Sequence, residues 1–283
     1  MRTKIVSFFL SLSLIGHASS IELSDGSFLA AYTFEQVLTK ANRDPEVIAR
    51  VDEESKEIWK KLCSKLGTGD HVPILAYGSL MNPASLKKTI TSLVKDPSPV
   101  WICDYVRVFN YSIETIGSLN RVTELDGPLN RAVLNLAYAP GSCCTALVLC
   151  LNEEDFLSCR RREGVYDLVP VKVRPYLIQD SCVSFPEVAY AWIVRREEGC
   201  SRPVLPIKGY YSMIWDAVSS EATVTAFGEK FPQDYLDTTF LFDGRSVRVI
   251  HDEYKKAPFQ YSWIFFGKRD ETDSFESVFL CLI

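Results

Sequence analysis

The sequence predicts an α+β fold, a small closed or nearly closed mixed β-barrel with surrounding helices. Three observations predict it. Runs rich in β-branched and aromatic residues recur along the chain. Helical stretches with recognisable ends are inserted between those runs. No internal repeat or low-complexity linker breaks the order. The 283 residues are 47% hydrophobic and 24% charged, an ordinary globular balance with room for one large domain or two small ones.

The first residues read as a signal peptide, residues 1–20. Arg2 and Lys4 precede an apolar stretch from Ile5 to Ile15, and Ala18, Ser19 and Ser20 are small enough for cleavage. The alternative is an apolar segment kept by the protein. The stretch is too short to span a bilayer, so no stable membrane span is expected after leader removal. A leader implies a secreted or periplasmic protein. Nine cysteines, an odd count and several of them in apolar strand-like runs, suit a reducing compartment instead, so a cytoplasmic location stays open. A net charge of -5 gives no support to nucleic-acid binding, which would call for a basic face, and no nucleic-acid partner is expected.

Residues 21–70 read as a helical N-terminal extension. Within it, a charged helix over Phe34 to Leu66 carries Val51, Ile58 and Leu62 among its apolar positions, and GTGD at Gly67 to Asp70 ends it. Residues 71–244 read as the main domain. Ile74, Leu75 and Ala76 form a buried strand that stops at Tyr77-Gly78-Ser79. Asn82 caps a following helix with Pro83 in its first position, and Leu86, Ile90, Leu93 and Val94 fall on one helical face. Val100 to Tyr111 reads as a strand and Ile113 to Pro128 as a polar loop. RAVLNLAYAPGSCCTALVLCL reads as a hairpin turning at Ala139 to Ser142.

Asn152 caps the next helix. Glu153, Glu154 and Asp155 occupy its first turn and Arg160, Arg161 and Arg162 its last, both suited to the macrodipole. Gly164 is placed to end it. Two strands follow, YDLVPVKVRPYLI and FPEVAYAWIVR, and Pro170 and Pro175 push the first towards an edge or a bulge. Helical stretches are expected over Ile207 to Ser219 and Glu221 to Asp237. Residues 245–283 form a C-terminal extension, packed on or completing the domain, that alternates apolar and polar residues before turning acidic and apolar.

The usual phosphate loops, GxxxxGK[ST] and GxGxxG, are absent. His71 and His251 have no neighbour at metal-ligand spacing and there is no CxxC pair, so neither metal nor cofactor is expected. Ser79 follows a glycine, but Met81 stands where a nucleophile elbow needs a second one. Two features remain. A glycine bend joins strand to helix at Tyr77, Gly78, Ser79 and Leu80, where backbone can approach a ligand and free N–H groups attract anions. Glu163 closes a helix at the end that favours cations, and a residue set against local preference marks a candidate site.

These residues carry a resemblance. YGSL after a strand, REGVY closing a helix at Glu163, and PxxxYxxxI from Pro206 to Ile214 resemble the γ-glutamylcyclotransferase family; RVFN at Arg107 to Asn110 and the hairpin before the acidic helix are similar to its bacterial members too. The resemblance covers roughly His71 to Asp243. It implies a small β-barrel, a small-molecule γ-glutamyl substrate and its cyclisation to 5-oxoproline with release of an amino acid or amine. It implies Glu163 as general acid/base. Tyr77, Gly78, Ser79 and Leu80 would hold the substrate, with Tyr166 and Tyr210 lining the pocket. Arg160 stands where many members carry an acid. A protein that binds a γ-glutamyl or other small carboxylate ligand without turning it over is the alternative.

Overall fold

The computed structural model describes residues 22–29, 45–112, 130–164, 166–177, 186–195 and 204–257. Five strands close into a mixed barrel: β1 (Val72–Ala76), β2 (Ser98–Ser112), β3 (Asn130–Leu151), β4 (Asp167–Pro175) and β5 (Val188–Ile193). The hydrogen-bonded order is β3-β1-β5-β4-β2, and β2 pairs back to β3 to complete the ring. Every seam is antiparallel except β1–β5, which is parallel through Ile74 and Tyr190. Short strands β6 (Leu205–Pro206) and β7 (Thr239–Leu241) add in parallel to β3 and β2.

Helices cover the outside. Helix α1 (Pro45–Leu66) buries Val51, Ser55, Ile58 and Leu62, the spacing of one helical face. Gly67 and Gly69, both at positive φ, end it as expected. The remainder of the expected helix before Pro45 lies outside the described residues, as do residues 1–20 and the loop at 113–128. Residues 22–29 are not helical. Phe28 is buried and exchanges two backbone hydrogen bonds with Leu168, stitching this segment to β4.

The hairpin expected at Ala139–Ser142 does not form. β3 runs as one strand, and β2 pairs with both of its halves. Between the pairs Cys103↔Cys143 and Tyr105↔Tyr138 the register shifts, so that four residues of β3 bulge opposite Asp104 alone. Asp104 takes a positive φ of 63°, and its carboxylate accepts the Gly141 N–H at 2.9 Å. A turn signal in sequence therefore marks a bulge, because the long partner strand holds both sides of it.

The helix after the bend is also shorter than its apolar spacing predicts. α2 spans only Pro83–Leu86, capped by Asn82, whose side chain accepts the Ser85 N–H at 3.0 Å. The buried Asp155 carboxylate takes the chain over from there. It accepts Thr91 N–H at 2.7 Å, Thr91 Oγ1 at 3.0 Å and Ser92 N–H at 3.1 Å. Leu93 then bridges to Leu151 as extended chain.

Helix α3 (Glu153–Arg162) starts as expected, with Asn152 accepting the Asp155 N–H at 2.9 Å. β4 is an internal strand and not an edge. Leu168 turns its N–H and C=O towards Phe28, so Pro170, two residues on, points its missing donor the same way, off the β5 ladder. Helix α4 (Lys208–Val218) matches its expected span. The stretch after it breaks at Gly228, φ 90°, into α5 (Glu221–Phe227) and α6 (Lys230–Asp237). Residues 248–254, at the start of the C-terminal extension, form a helix, α7 (Arg248–Tyr254), whose Tyr254 packs against Tyr211. Among the described residues, no helix is long and apolar enough to cross a membrane.

Asp155→Ala removes a buried carboxylate that accepts three hydrogen bonds from Thr91 and Ser92, both of which lie at the surface. Urea unfolding followed by circular dichroism should show a loss of about 1–2 kcal/mol, since the freed donors can turn to water; an unchanged midpoint would remove Asp155 as the anchor of this crossing.

Candidate active site

β1 delivers the bend to one side of the barrel and α3 delivers Glu163 to the same place. Residues Ser79–Met81 form a single 3₁₀ turn, with Met81 N–H donating to Gly78 O at 2.9 Å and Asn82 N–H to Ser79 O at 3.1 Å. The geometry of such a turn leaves the N–H groups of Ser79 and Leu80 without a partner in it. Glu163 caps the C-terminus of α3, its N–H bonded to Cys159 O at 2.8 Å. Leu75, Tyr77, Gly78, Ser79, Leu80, Leu134, Glu163, Tyr166, Trp192 and Tyr210 line one cavity of about 30 Å³. All seven residues singled out in the sequence thus meet there.

The lining is polar at chosen points. Glu163 is only 5% exposed. Burial raises its carboxyl to about 7 from the usual 4.5, and the Arg162 guanidinium, 3.0 Å away, holds part of that shift back. Among the described residues, the Tyr166 and Tyr210 hydroxyls and the Trp192 indole N–H have no hydrogen-bond partner. Burial pushes both of these tyrosines far above their usual range, so they stay neutral donors. Unpaired buried polar groups cost free energy, and three side chains sharing one cavity suit a polar ligand. Tyr77 differs: its hydroxyl donates to the Trp192 carbonyl across the β1–β5 seam. The ring lines the cavity while the hydroxyl is held by the frame.

Gly78 is required by contact. A Cβ there would sit 2.9 Å from the Tyr210 hydroxyl and 3.7 Å from Leu134 Cβ. The neighbouring Tyr211 turns away, its hydroxyl 2.8 Å from His251 Nδ1.

Two participants were not legible in the sequence. Arg162 was read only as a cation suited to a helix end. Its guanidinium is buried and donates to Ser79 Oγ at 2.8 Å, Ser85 Oγ at 3.1 Å, Thr89 Oγ1 at 2.9 Å and Ser85 O at 3.2 Å. It ties the acid to the bend. Trp192 sat in a strand run and carried no local signal at all. Arg160 is also buried, donating to Leu29 O at 2.6 Å with its guanidinium 5.3 Å from the Trp192 ring centre. Among the described residues, no group of three or more His, Cys, Asp or Glu could hold a metal ion.

No family model and no curated protein matches the chain. Solved structures do. YkqA from Bacillus subtilis is 14% identical, with 71% of this chain and 61% of that one covered at a TM-score of 0.43. The chain therefore spans about three fifths of YkqA's length. An uncharacterized protein from Homo sapiens is 16% identical, covering 57% of this chain and 86% of its own at 0.40. The chain is also similar to a γ-glutamyl cyclotransferase. There the identity is 17%, 66% of this chain and 100% of the other are covered, and the TM-score is 0.41.

The raised Glu163 carboxyl has a stability consequence with a definite sign. Below about 4.5 the group is protonated folded and unfolded, and its burial costs nothing. As pH rises towards about 7 the unfolded chain loses this proton and the folded one keeps it, so stability falls. Above that the full penalty, about 3 kcal/mol, is present. Glu163→Gln removes the dependence. Its stability relative to the wild type should climb by about that amount between pH 4.5 and pH 8, read by denaturant titration. A flat difference would mean an unshifted carboxyl.

Proposed function

We propose that this protein is a γ-glutamyl cyclotransferase in which Glu163 is the general acid/base. The convergence of a buried acid, a glycine bend and two unpartnered tyrosine hydroxyls on one cavity carries the reading. In this chemistry the substrate's own α-amine attacks its γ-carbonyl. A five-membered lactam forms, the bond to the leaving amine breaks, and no external nucleophile takes part.

The enzyme has three tasks. It must fold the substrate into the reactive shape, where positioning supplies about 7–11 kcal/mol. It must take a proton from the α-ammonium and later return one to the leaving amine. A carboxyl near 7 can do both, since it exchanges protons close to neutral pH at little cost. It must also bind charge. The Ser79 and Leu80 N–H groups suit the α-carboxylate or the oxyanion that develops on the γ-carbonyl. Tyr166 and Tyr210 would donate to the same oxygens.

The cavity's 30 Å³ has room for about one or two waters and not for a glutamyl group. Entry therefore requires side chains to part; the Tyr210 hydroxyl, which sits against Gly78, is among the groups that would have to shift. The leaving group extends beyond the described lining; an amino acid, cysteinylglycine or an amine each leaves the reacting half unchanged.

Incubating the protein with γ-glutamyl dipeptides, glutathione and a γ-glutamyl amine should yield 5-oxoproline from at least one, measured by mass spectrometry. Glu163→Gln should lower turnover by about 10²–10⁴-fold with the fold intact. Heat protection by these compounds without product would instead favour a binding protein. Gly78→Ala should displace the Tyr210 hydroxyl and cost about 10²-fold in kcat/KM; wild-type kinetics in that variant would sink the close packing at the bend.

A further inference from the structure

Two cysteines face each other on the outside of the barrel, away from the candidate site. Cys103 and Cys143 are register partners in the β2–β3 ladder, next to the four-residue bulge. The adjoining partners, Ile102 and Cys144, are fully buried. Side chains alternate along a strand, so Cys103 and Cys143 share the opposite face. Both are partly exposed free thiols.

Directly opposed antiparallel residues have Cα atoms about 4.5–5.5 Å apart and Cβ atoms about 4.5–5.5 Å apart. A disulfide needs about 4.4–6.8 Å and about 3.5–4.5 Å respectively. The backbone spacing already fits, and the side chains must approach by about 1 Å. The bulge beside them interrupts the ladder and is where that movement can be absorbed.

We propose that Cys103 and Cys143 are a reversible redox pair that closes into a cross-strand disulfide by exchange with a small-molecule disulfide. The residual strain of a bond between opposed strands makes it easier to reduce than a relaxed structural disulfide, and exposure gives reductant access. Arg174 on β4 brings its guanidinium to 3.9 Å from Cys143 Sγ. A cation there favours the approach of a disulfide bearing carboxylates. The same guanidinium lies against the Cys143 sulfur, where an incoming disulfide would be held, so Cys143 attacks first.

The exchange runs in two displacements. The Cys143 thiolate attacks one sulfur of the small disulfide and expels one thiolate, giving a mixed disulfide. The Cys103 thiolate then attacks the Cys143 sulfur, forming the cross-strand bond and expelling the second. The two cysteines lose two electrons, the small disulfide gains them, and the two thiol protons end on the released thiols. Cys144 is next to Cys143 in sequence but is buried on the other face, and its thiol is pushed up to about 11.

The full chain, folded and reduced, is incubated with oxidised glutathione, quenched with acid, alkylated and mapped by mass spectrometry. The expected product is a chain lighter by two hydrogen atoms, with peptides containing Cys103 and Cys143 joined and separable by a dithiol. Cys103→Ser and Cys143→Ser should each stop closure and strand a glutathione adduct on the remaining cysteine. Cys144→Ser should leave closure intact. Wild-type chain that keeps only mixed adducts, fails to react, or joins either cysteine elsewhere would overturn the assignment. If the serine variants fail to fold, the wild-type map alone decides.

Discussion

The Arg162 guanidinium holds the candidate site together. It is buried at the end of α3, touches Glu163 and donates to the bend and to the turn after it. Three separate pieces of chain meet in one side chain: the end of a helix, the exit of a strand and the segment that follows. Such a cation is tolerable in the interior only because its donors are matched by hydroxyls, a carbonyl and a carboxylate. Its charge also limits how far burial can raise Glu163, so the acid comes to rest near neutrality and not well above it.

The parts legible in sequence were those set by local physics. Asn82 and Asn152 announced their caps, β-branched runs announced strands, and GTGD announced the end of α1. Tyr77 to Leu80 and Glu163 stood out because glycine in a bend and acid at a helix C-terminus both run against local preference. The failures share one cause. The Ala139–Ser142 stretch has turn composition, but β2 pairs across it and makes it a bulge. The apolar spacing from Leu86 to Val94 suits a helix, but Asp155, some sixty residues away in the chain, claims the backbone donors. Pro170 argued for an edge, but only one side of β4 needs a donor there. In each case a partner distant in sequence overrode a correct local tendency. Trp192 and Arg162 belong to the same class, since nothing beside them in the chain marks what they touch.

The site opposes stability in several ways at once. An acid is desolvated, two hydroxyls and an indole N–H go unpaired, and a glycine sits where any side chain would collide. A core built only for stability would fill this space with aliphatic carbon. The surrounding barrel is large enough to carry the deficit, with fully buried aromatic and aliphatic residues on every strand of the ring.

The one parallel seam of the ring has a kinetic meaning. Ile74 and Tyr190 are joined across more than a hundred residues of chain, whereas the β2–β3 and β4–β5 ladders link segments much nearer in sequence. Loop-closure entropy weighs most on the pairing of longest separation, so this seam is the one the chain gains least from closing early. The cavity straddles the seam, with Leu75 and Tyr77 on one side and Trp192 on the other. With this seam open, the chain would keep its antiparallel ladders and lose the chamber.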